Sequence, residues 1–389
     1  MPILTILSKI FQFILGKLPL KKDYIIFESL PELDGSPWMI FQEMERLDFS
    51  KKYKLVWFTN AQYIPSRNIT CIPYFDQTNW KKIIQNYWIL AKAKVIIENN
   101  RFLNKISSKT FRLHTQHGAP LKKCFFYTFE MGDVDAVLSL SENMADLEKN
   151  FFPSAQGKIF PLGYPTNDRI FDSINLYKNG FWKECTGTET IFKKIIGWLP
   201  TYRQHKIDNS ARTDVIFPYG IPLLYTQKDL NKLNEFLRKE NILLAIQMHH
   251  IQALNFQQCN YSNIILIKQS LKEKYNISTA NLMQNFDALI TDYSAAYHEY
   301  ILLNRPIALS IDDFKQYSAN PGFSIDYFDW IKGVYLKNCT DLINFITDVA
   351  KGVDSAKEER LLTLHRIHKY IDNHSSQRVV NFLIEKAKL

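Results

Sequence analysis

The chain has 389 residues, of which 46% are hydrophobic and 22% charged, and its formal net charge is +9. This composition is that of a globular protein and excludes a disordered or fibrous chain, and the length allows about two domains. The positive charge indicates an acidic partner, either nucleic acid, anionic lipid or a phosphorylated substrate. No zinc-finger spacing or RNA-binding signature is present, so no nucleic-acid partner is expected.

Residues 1–22 form a basic, apolar segment with four lysines and no acidic residue. Lys9 and Lys17 interrupt the apolar run, so a membrane-spanning helix of about 20 apolar residues is not expected. On a helix the apolar residues share one broad face flanked by lysines, which is typical of a helix lying in an anionic membrane surface. Packing of this face on the protein itself is the alternative, and the pattern alone does not choose between them.

The first half alternates short apolar runs with helical patterns. The runs are about four to eight residues long and mostly uninterrupted, as buried parallel strands are. A helical pattern over 78–93 lies between two of them, and this βα alternation predicts an α/β sheet. The strands predicted in this half cover residues 23–29, 53–59, 94–99, 110–116, 135–141 and 158–163.

A second βα series begins near residue 190, after a polar, glycine-containing stretch over 176–190 that reads as a linker. Its predicted strands cover residues 194–200, 242–249, 263–269, 287–292 and 306–311. Its predicted helices lie near 228–240, 279–285, 294–304, 339–351 and 355–372. The sequence therefore predicts a membrane-associating segment (1–22), a first Rossmann-like domain (23–180) and a second (190–389), with ligands bound in a cleft beyond the carboxyl ends of the strands.

Two histidines end the strand over 110–116, and glycine and lysine follow them. His114 and His117 are followed by Gly118 and Lys122. A histidine at a strand end can take a proton from a hydroxyl group near neutral pH, and a lysine can hold a phosphate as a point charge. A histidine satisfied inside a turn is the alternative.

A second pair, His249 and His250, ends the strand over 242–249 at the equivalent place in the second half. One histidine at the strand end of each domain would allow both to approach one phosphate. A loop histidine with a structural role is again the alternative.

Asp292, Ser294 and Ala295 join the strand over 287–292 to a predicted helix. Serine is a good N-cap, and the amino end of a helix carries free N–H groups that favour phosphate. Because every helix needs a cap, a serine at this position alone is weak evidence for a phosphate site. Its position after a buried strand strengthens the prediction.

Two further segments follow predicted strands. Asn167 lies in a turn that also reads as an ordinary Pro/Asn/Asp turn, and Arg203 could contact either a phosphate or a nearby carboxylate. No dinucleotide or P-loop glycine pattern, no nucleophile elbow and no clustered metal ligands occur. Neither a cofactor nor a metal is therefore expected.

Six segments occur in the order found in one known family. They are AKAKVIIENNR (91–101), QHGAPLKK (116–123), GYPTND (163–168), PTYR (200–203), MH (248–249) and TDYSAAYHEYILLNRP (291–306). In these segments the chain resembles the CDP-glycerol glycerophosphotransferases, the teichoic-acid polymerases and primases. The resemblance implies a GT-B-like fold, with the acceptor in the first half and the CDP-linked donor in the second.

The resemblance also implies roles for the residues. His117 would be the general base and His249 would stabilise the donor diphosphate, as the transferred polyol-phosphate passes to an acceptor hydroxyl and CMP is released. Residues implied at the donor phosphates are Arg203, Asp292, Ser294, Ala295 and Lys122. Further residues implied in the cleft are His114, Gly118, Asn167, His250 and Glu299.

The implied partners are a CDP-linked polyol donor, a polymer or lipid-linked acceptor and an anionic membrane surface at the cytoplasmic face of the cell membrane. Ala119, Ala295, His250 and Gln116 depart from the family pattern and leave the donor and the acceptor open. A GT-B glycosyltransferase using a nucleotide sugar in capsule or lipopolysaccharide synthesis is the alternative, with Glu299 as a carboxylate for a sugar ring. A non-catalytic envelope-binding protein is a third, and the sequence does not give an oligomeric state.

Overall fold

The computed structural model describes residues 2–61, 69–73, 80–100, 103, 105–116, 118–119, 122, 133–201, 203, 215, 217–248 and 261–389, with side chains from residue 10 onward. His117, His249 and His250 lie outside the described residues. The described chain forms two parallel sheets with helices between their strands. The predicted α/β class is therefore confirmed.

The first sheet has the strand order β3-β2-β1-β4-β5-β6-β7, and its described pairings are all parallel. The order reverses between β1 and β4, which makes their carboxyl ends the place where such sheets bind ligands. Its strands are β1 (Tyr24–Glu28), β2 (Lys54–Phe58), β3 (Thr70–Ile72), β4 (Ala93–Glu98), β5 (Phe111–His114), β6 (Ala136–Ser139) and β7 (Ile159–Pro161).

The second sheet has the order β10-β9-β8-β11-β12-β13, also parallel throughout the described pairings. Its reversal lies between β8 and β11. Its strands are β8 (Lys194–Trp198), β9 (Ile242–Ile246), β10 (Ile264–Leu266), β11 (Ala288–Thr291), β12 (Ile307–Ser310) and β13 (Val334–Leu336).

Helices cover both sheets. They are α1 (Pro2–Lys17), α2 (Gly35–Arg46), α3 (Trp80–Ala91), α4 (Glu142–Glu148), α5 (Phe181–Thr186), α6 (Gln227–Lys239), α7 (Gln269–Lys274), α8 (Thr279–Gln284), α9 (Ala296–Tyr300), α10 (Phe314–Ala319), α11 (Tyr327–Trp330), α12 (Cys339–Lys351), α13 (Lys357–Ile367) and α14 (Ser375–Ala387). Of the helices in the described part of the chain, none is both long and apolar enough to cross a membrane.

Local sequence explains where these elements begin and end. Helix α6 starts at a reciprocal cap, in which Thr226 and Asp229 each accept from the other's backbone N–H. Helix α12 starts at the capping side chain of Asn338 and ends at Gly352, whose φ of 75° suits glycine. In β8, Gly197 leaves room for the ring of Phe286, which lies 2.1 Å from where a Cβ would be.

The structure differs from the predicted elements at several points. The sequence does not predict strands β3 and β13, which lie at edges of the first and second sheets and have three residues each. The helix predicted at 294–304 is a short α-helix followed by a 3-10 turn, Ile301–Leu303. The helix predicted at 355–372 ends at Ile367, and α14 is an additional helix.

The chain forms two compact units whose boundaries differ from the predicted domains. The first comprises residues 1–119, 126–168 and 368–389, and the second comprises 120–125 and 169–367. The chain leaves the first unit near residue 168, not in the stretch 180–190, and it returns after residue 367. Helix α14 therefore packs on α2 of the first unit instead of belonging to the second.

Asp168, the last residue of the turn over 163–168, binds the amino end of α14. Its Oδ1 accepts from the backbone N–H of Ser375 at 2.9 Å, and its Oδ2 accepts from the backbone N–H and hydroxyl of Ser376 at 2.8 and 2.6 Å. The first amides of a helix lack partners within the helix, and a carboxylate satisfies them well. The turn thus serves as an external cap for α14.

We expect Asp168→Ala to lower the free energy of unfolding by about 2 kcal/mol, because it removes a helix cap and leaves buried donors unsatisfied. Thermal unfolding followed by circular dichroism measures the effect. The control is Asp172→Ala, which changes an exposed carboxylate a few residues along. Equal unfolding temperatures for the two variants would contradict the capping role.

Candidate active site at the carboxyl ends of the second sheet

The carboxyl ends of β8 and β11 are tied together where the order of the second sheet reverses. The backbone N–H of Thr201, after β8, donates to both carboxylate oxygens of Asp292, after β11, at 2.9 and 3.0 Å. The Thr201 hydroxyl donates to Oδ1 of the same carboxylate at 2.8 Å. Asp292 therefore orders the edge of the sheet at the expected ligand position.

Arg203 extends this cluster to a third strand. Its Nε and Nη2 donate to the two carboxylate oxygens of Asp313, which follows β12, at 2.6 and 3.2 Å. Its Nη1 lies 2.9 Å from Oδ2 of Asp292 and donates to the carbonyl of Thr201 at 2.7 Å. Of the two contacts predicted for Arg203, a phosphate or a carboxylate, the described geometry has the carboxylate.

The guanidinium of Arg203 is only 3% exposed. Burial lowers its pKa, the charges of Asp292 and Asp313 raise it, and the result lies above the ordinary value. Two carboxylates around one guanidinium leave the buried cluster with one net negative charge. This cluster orders the strand ends and offers no positive charge of its own to a phosphate.

Aromatic rings enclose the same guanidinium. It lies 5.1 Å from the ring centre of Tyr293 and 5.0 Å from that of Tyr317. The hydroxyl of Tyr293 donates to Oδ1 of Asp313 at 2.9 Å, and that of Tyr327 donates to the carbonyl of Asp292 at 3.0 Å. The sequence did not predict these partners, although Asp313 lies only two residues after a predicted strand and could have been found on that ground.

Lys122 joins the cluster from a distant part of the sequence. Its backbone bridges to Phe323, and its ammonium group donates to the Thr201 hydroxyl at 3.4 Å and lies 5.9 Å from the ring centre of Tyr317. Lys122 is half-buried. The structure therefore brings together three of the residues predicted at the donor phosphates: Lys122, Arg203 and Asp292.

Ser294 and Ala295 begin the short helix after β11, but not as predicted. Ala295 occupies the N-cap position, and the Ser294 hydroxyl accepts from the backbone N–H of Ala296 at 3.3 Å. The predicted side-chain cap by Ser294 is wrong by one residue, because the chain is already helical at Ala295. Glu299 lies half-buried further along the same helix.

In the first unit, His114 lies in the core. It is 1% exposed, its Nδ1 is 3.8 Å from Oε1 of Glu98, and its ring meets Phe152 edge-on. Glu98 in turn pairs with Arg112, with Nη2 to Oε1 at 2.6 Å. His114 is therefore a buried histidine in a polar network and does not occupy the cleft position predicted for it.

The residues on either side of His117 occupy unusual backbone conformations. Gln116 has φ of 58° and donates its amide to the carbonyl of Leu138 at 2.7 Å, and Gly118 has φ of 149°. Asn167 is buried in the 3-10 helix Pro165–Phe171, and its backbone N–H donates to the carbonyl of Tyr164 at 2.9 Å.

Within the described residues, no group of three or more histidine, cysteine, aspartate or glutamate side chains could hold a metal ion. Lys122 provides a cation beside an ordered, anionic strand edge.

We expect Asp313→Ala to lower the free energy of unfolding by about 3 kcal/mol, because it leaves a buried guanidinium with half of its partners. Urea unfolding measures this. The control is Asp329→Ala, which breaks the exposed pair with Arg366 and is expected to cost less than about 1 kcal/mol. A cost for Asp313→Ala as small as the control's would mean that Arg203 does not depend on this pair.

The similarity to known proteins covers nearly the whole chain and is not limited to single segments. A family model described as CDP-Glycerol:Poly(glycerophosphate) glycerophosphotransferase matches residues 10–385. The teichoic acid poly(glycerol phosphate) polymerase of Bacillus spizizenii (strain ATCC 23059 / NRRL B-14472 / W23) is 26% identical, over 98% of this chain and 97% of that protein. The teichoic acid glycerol-phosphate primase of Bacillus subtilis (strain 168) is 24% identical over 98% and 99%.

Some other relatives are longer than this chain, and some are named for a different polyol phosphate. The chain spans 45% of the poly(glycerol phosphate) polymerase of Bacillus subtilis (strain 168), to which it is 25% identical. It is 27% identical to the teichoic acid poly(ribitol-phosphate) polymerase of Bacillus spizizenii, over 94% of this chain and 57% of that protein.

Solved structures of the wall teichoic acid polymerase TagF share the fold. A variant of TagF has a TM-score of 0.74 at 19% identity, covering 98% of this chain and 93% of that one. A structure titled as TagF with CDPG has a TM-score of 0.73 at 19% identity, with the same coverage. A likeness at this identity shows the fold alone.

Proposed function

Because the chain belongs to the CDP-glycerol:poly(glycerophosphate) glycerophosphotransferase family, we propose that it transfers a polyol-phosphate from a CDP-linked donor and releases CMP. The proposed acceptor is a hydroxyl group of a cell-envelope polymer or of a lipid-linked precursor. The observation that carries this proposal is the family match over residues 10–385, which includes both sheets. Relatives named for glycerol phosphate and for ribitol phosphate support a polyol donor and leave the polyol open.

In the proposed reaction, the acceptor oxygen attacks the phosphorus atom that bears the polyol. A new P–O bond forms, the bond to the bridging oxygen of CMP breaks, and the acceptor proton passes to a base. His117 is the base we propose, since it follows β5 and a histidine can accept a proton near neutral pH. His249 is proposed beside the donor diphosphate, where charge must be stabilised as CMP leaves.

The buried cluster supports a division of roles among the donor residues. The guanidinium of Arg203 is already held by Asp292 and Asp313, so we assign to it the positioning of the strand ends. Lys122, which reaches the same edge, is assigned the contact with a donor phosphate. Ser294 would add a hydroxyl at the start of α9.

The first test is CMP release from CDP-glycerol, CDP-ribitol and common nucleotide sugars, with a membrane fraction as acceptor. CMP release with a CDP-polyol supports the proposal and names the donor. Release of UDP instead would favour a nucleotide-sugar glycosyltransferase, the alternative that the sequence leaves open.

We expect His117→Ala to lower kcat for CMP release by roughly 10²-fold or more, the scale of a lost general base. The KM for the donor should change little, because the base contacts the acceptor. The control is His365→Ala, an exposed histidine on α13. Full turnover by His117→Ala would remove this residue from the mechanism.

An anionic membrane surface is the proposed location, at the cytoplasmic face. Helix α1 exposes Phe13 (66%) and Ile14 (52%), and the neighbouring α3 exposes Trp80 (64%) and Trp88 (41%). Phe11 of α1 meets Tyr87 of α3 edge-on, so the two helices lie side by side. Neither helix contains an acidic residue. Tryptophan and lysine around an apolar patch suit the headgroup region of an anionic bilayer.

We expect the double variant Phe13→Ser, Trp80→Ser to bind vesicles containing phosphatidylglycerol at least tenfold more weakly, because it removes two exposed apolar anchors. Vesicle sedimentation measures binding, with phosphatidylcholine vesicles as the uncharged comparison. Point substitutions are preferred to deletion of residues 1–22, because Leu15 of α1 is 3% exposed and belongs to the core.

The matched control is Leu362→Ser, Ile191→Ser, which removes two side chains that are 75% and 74% exposed in the second unit. Equal vesicle binding by the two double variants would overturn the assignment of this surface to lipid.

A further inference from the structure

Glu148 is a fully buried carboxyl group at the carboxyl edge of the first sheet, where it ends α4. Three polar side chains lie around it, and each comes from the end of a different strand: Gln116 after β5, Ser139 at the end of β6 and Tyr164 after β7. The Tyr164 hydroxyl donates to Oε1 of Glu148 at 3.1 Å. The carboxyl group thus lies at the meeting point of three neighbouring strand ends.

The other two neighbours also donate to backbone carbonyl groups. The hydroxyl of Ser139 donates to the carbonyl of Ser141 at 3.2 Å, and the amide of Gln116 donates to the carbonyl of Leu138 at 2.7 Å. Oε2 of Glu148 is buried and has no hydrogen-bond partner among the described residues. The carboxyl group therefore has fewer hydrogen bonds than a buried carboxylate requires, which favours its neutral form.

Among the described residues that influence the pKa of Glu148, none carries a charge. Burial raises its pKa from 4.5 to about 8, and hydrogen bonds from the three neighbours oppose this rise only in part. Of these neighbours, only Tyr164 is titratable. The buried ionisable groups of β4 and β5, which are Glu98, Arg112 and His114, contact one another and are not among these influences.

Gln116 needs such support because of its backbone. A left-handed conformation in a residue with a Cβ is strained and persists only where surrounding contacts hold it. Gln116 directly precedes His117. The position of the Gln116 backbone therefore sets the point from which the chain continues to that histidine.

We propose that Glu148 holds the backbone of Gln116, the residue before His117, and is therefore a positioning residue for proton transfer to that histidine. This inference rests on the proposed function, because it takes His117 to be the base. When Glu148 loses its proton, the buried negative charge must gain water or donors. The packing of Gln116, Ser139 and Tyr164 around it then changes, and with it the position of the Gln116 backbone.

The test is the pH profile of kcat for CMP release from a CDP-polyol at saturating donor. In the wild-type protein kcat is expected to fall as the pH rises through about 8. Deprotonation of His117 by itself would raise the rate of a general base, so it does not produce this fall. Glu148→Gln keeps a neutral group of the same shape. It is expected to retain the wild-type rate at pH 7 within about threefold and to lack the fall at higher pH.

Glu148→Ala removes the contacts altogether and is expected to lower kcat at all pH values by roughly 10²-fold, the scale of a misplaced catalytic group. The matched control is Glu142→Gln, on the exposed first turn of the same helix, where Glu142 pairs with Lys369. The control should reproduce the wild-type profile. A fall for Glu148→Gln at the same pH as for the wild type would overturn the proposal.

Thermal unfolding without substrate separates this inference from the proposed function. Because the pKa of Glu148 is higher in the folded protein, its contribution to stability is complete below pH 4.5 and is lost as the pH rises to about 8. The unfolding temperature of the wild type should therefore fall relative to that of Glu148→Gln across this range and level off above it. A parallel pH dependence would refute the neutral acid even if no CDP-polyol is turned over.

Tyr164→Phe provides a second variant if Glu148→Gln does not fold. The tyrosine hydroxyl stabilises the ionised carboxylate, so its loss should raise the pKa of Glu148 further and move the fall in kcat to higher pH. An unchanged profile or a shift to lower pH would contradict the role of Glu148.

Discussion

The guanidinium of Arg203 lies between two carboxylates that follow different strands, and the carboxyl edge of the second sheet depends on this arrangement. Parallel strands bring the carboxyl ends of β8, β11 and β12 to one edge but do not fix the loops that leave them. Arg203 joins Asp292 to Asp313, and Thr201 completes the contact through its backbone and hydroxyl. A planar guanidinium with five donors can satisfy such a set, and an ammonium group could not.

Because two carboxylates already hold its guanidinium, Arg203 can order this edge without contacting a ligand. Removing either carboxylate would leave a buried cation without its partners, which is far more costly than losing an exposed pair. The cluster is therefore expected to keep its geometry when a ligand binds. Lys122 lies at the margin of the cluster, where its ammonium group contacts Thr201 and the ring of Tyr317.

The first sheet meets the same requirement with a neutral group. At the ends of β5, β6 and β7, Glu148 has hydroxyl and amide neighbours instead of a guanidinium. A neutral acid can donate one hydrogen bond and accept others, so it can link three strand ends without a counter-ion. The two edges thus contrast: a buried guanidinium between two carboxylates joins the strand ends of the second sheet, and a buried carboxyl group with polar, uncharged neighbours lies at those of the first.

The sequence predicted the long buried strands well, because uninterrupted runs such as YIIFE and ILLAI are typical of parallel sheets covered on both faces. It did not predict the edge strands β3 and β13, or the return of α14 to the first unit. That return depends on Asp168 meeting Ser375 and Ser376, about two hundred residues later in the chain. For the same reason the sequence offered Arg203 two kinds of partner without choosing between them.

The apolar periodicity of the N-terminal helix does not determine what the helix packs against. Its broad apolar face is compatible with both lipid and protein, and in the structure one part of that face is buried in the protein and another part is exposed. Leu15 enters the core, and Gly16 lies so close to the backbone of Ile106 that a Cβ would overlap it, whereas Phe13 and Ile14 remain exposed. Because the buried part is fixed to the first sheet, the exposed part moves with that sheet and not as a flexible tether. Lipid bound at this surface would therefore constrain the orientation of the first unit as well as its location.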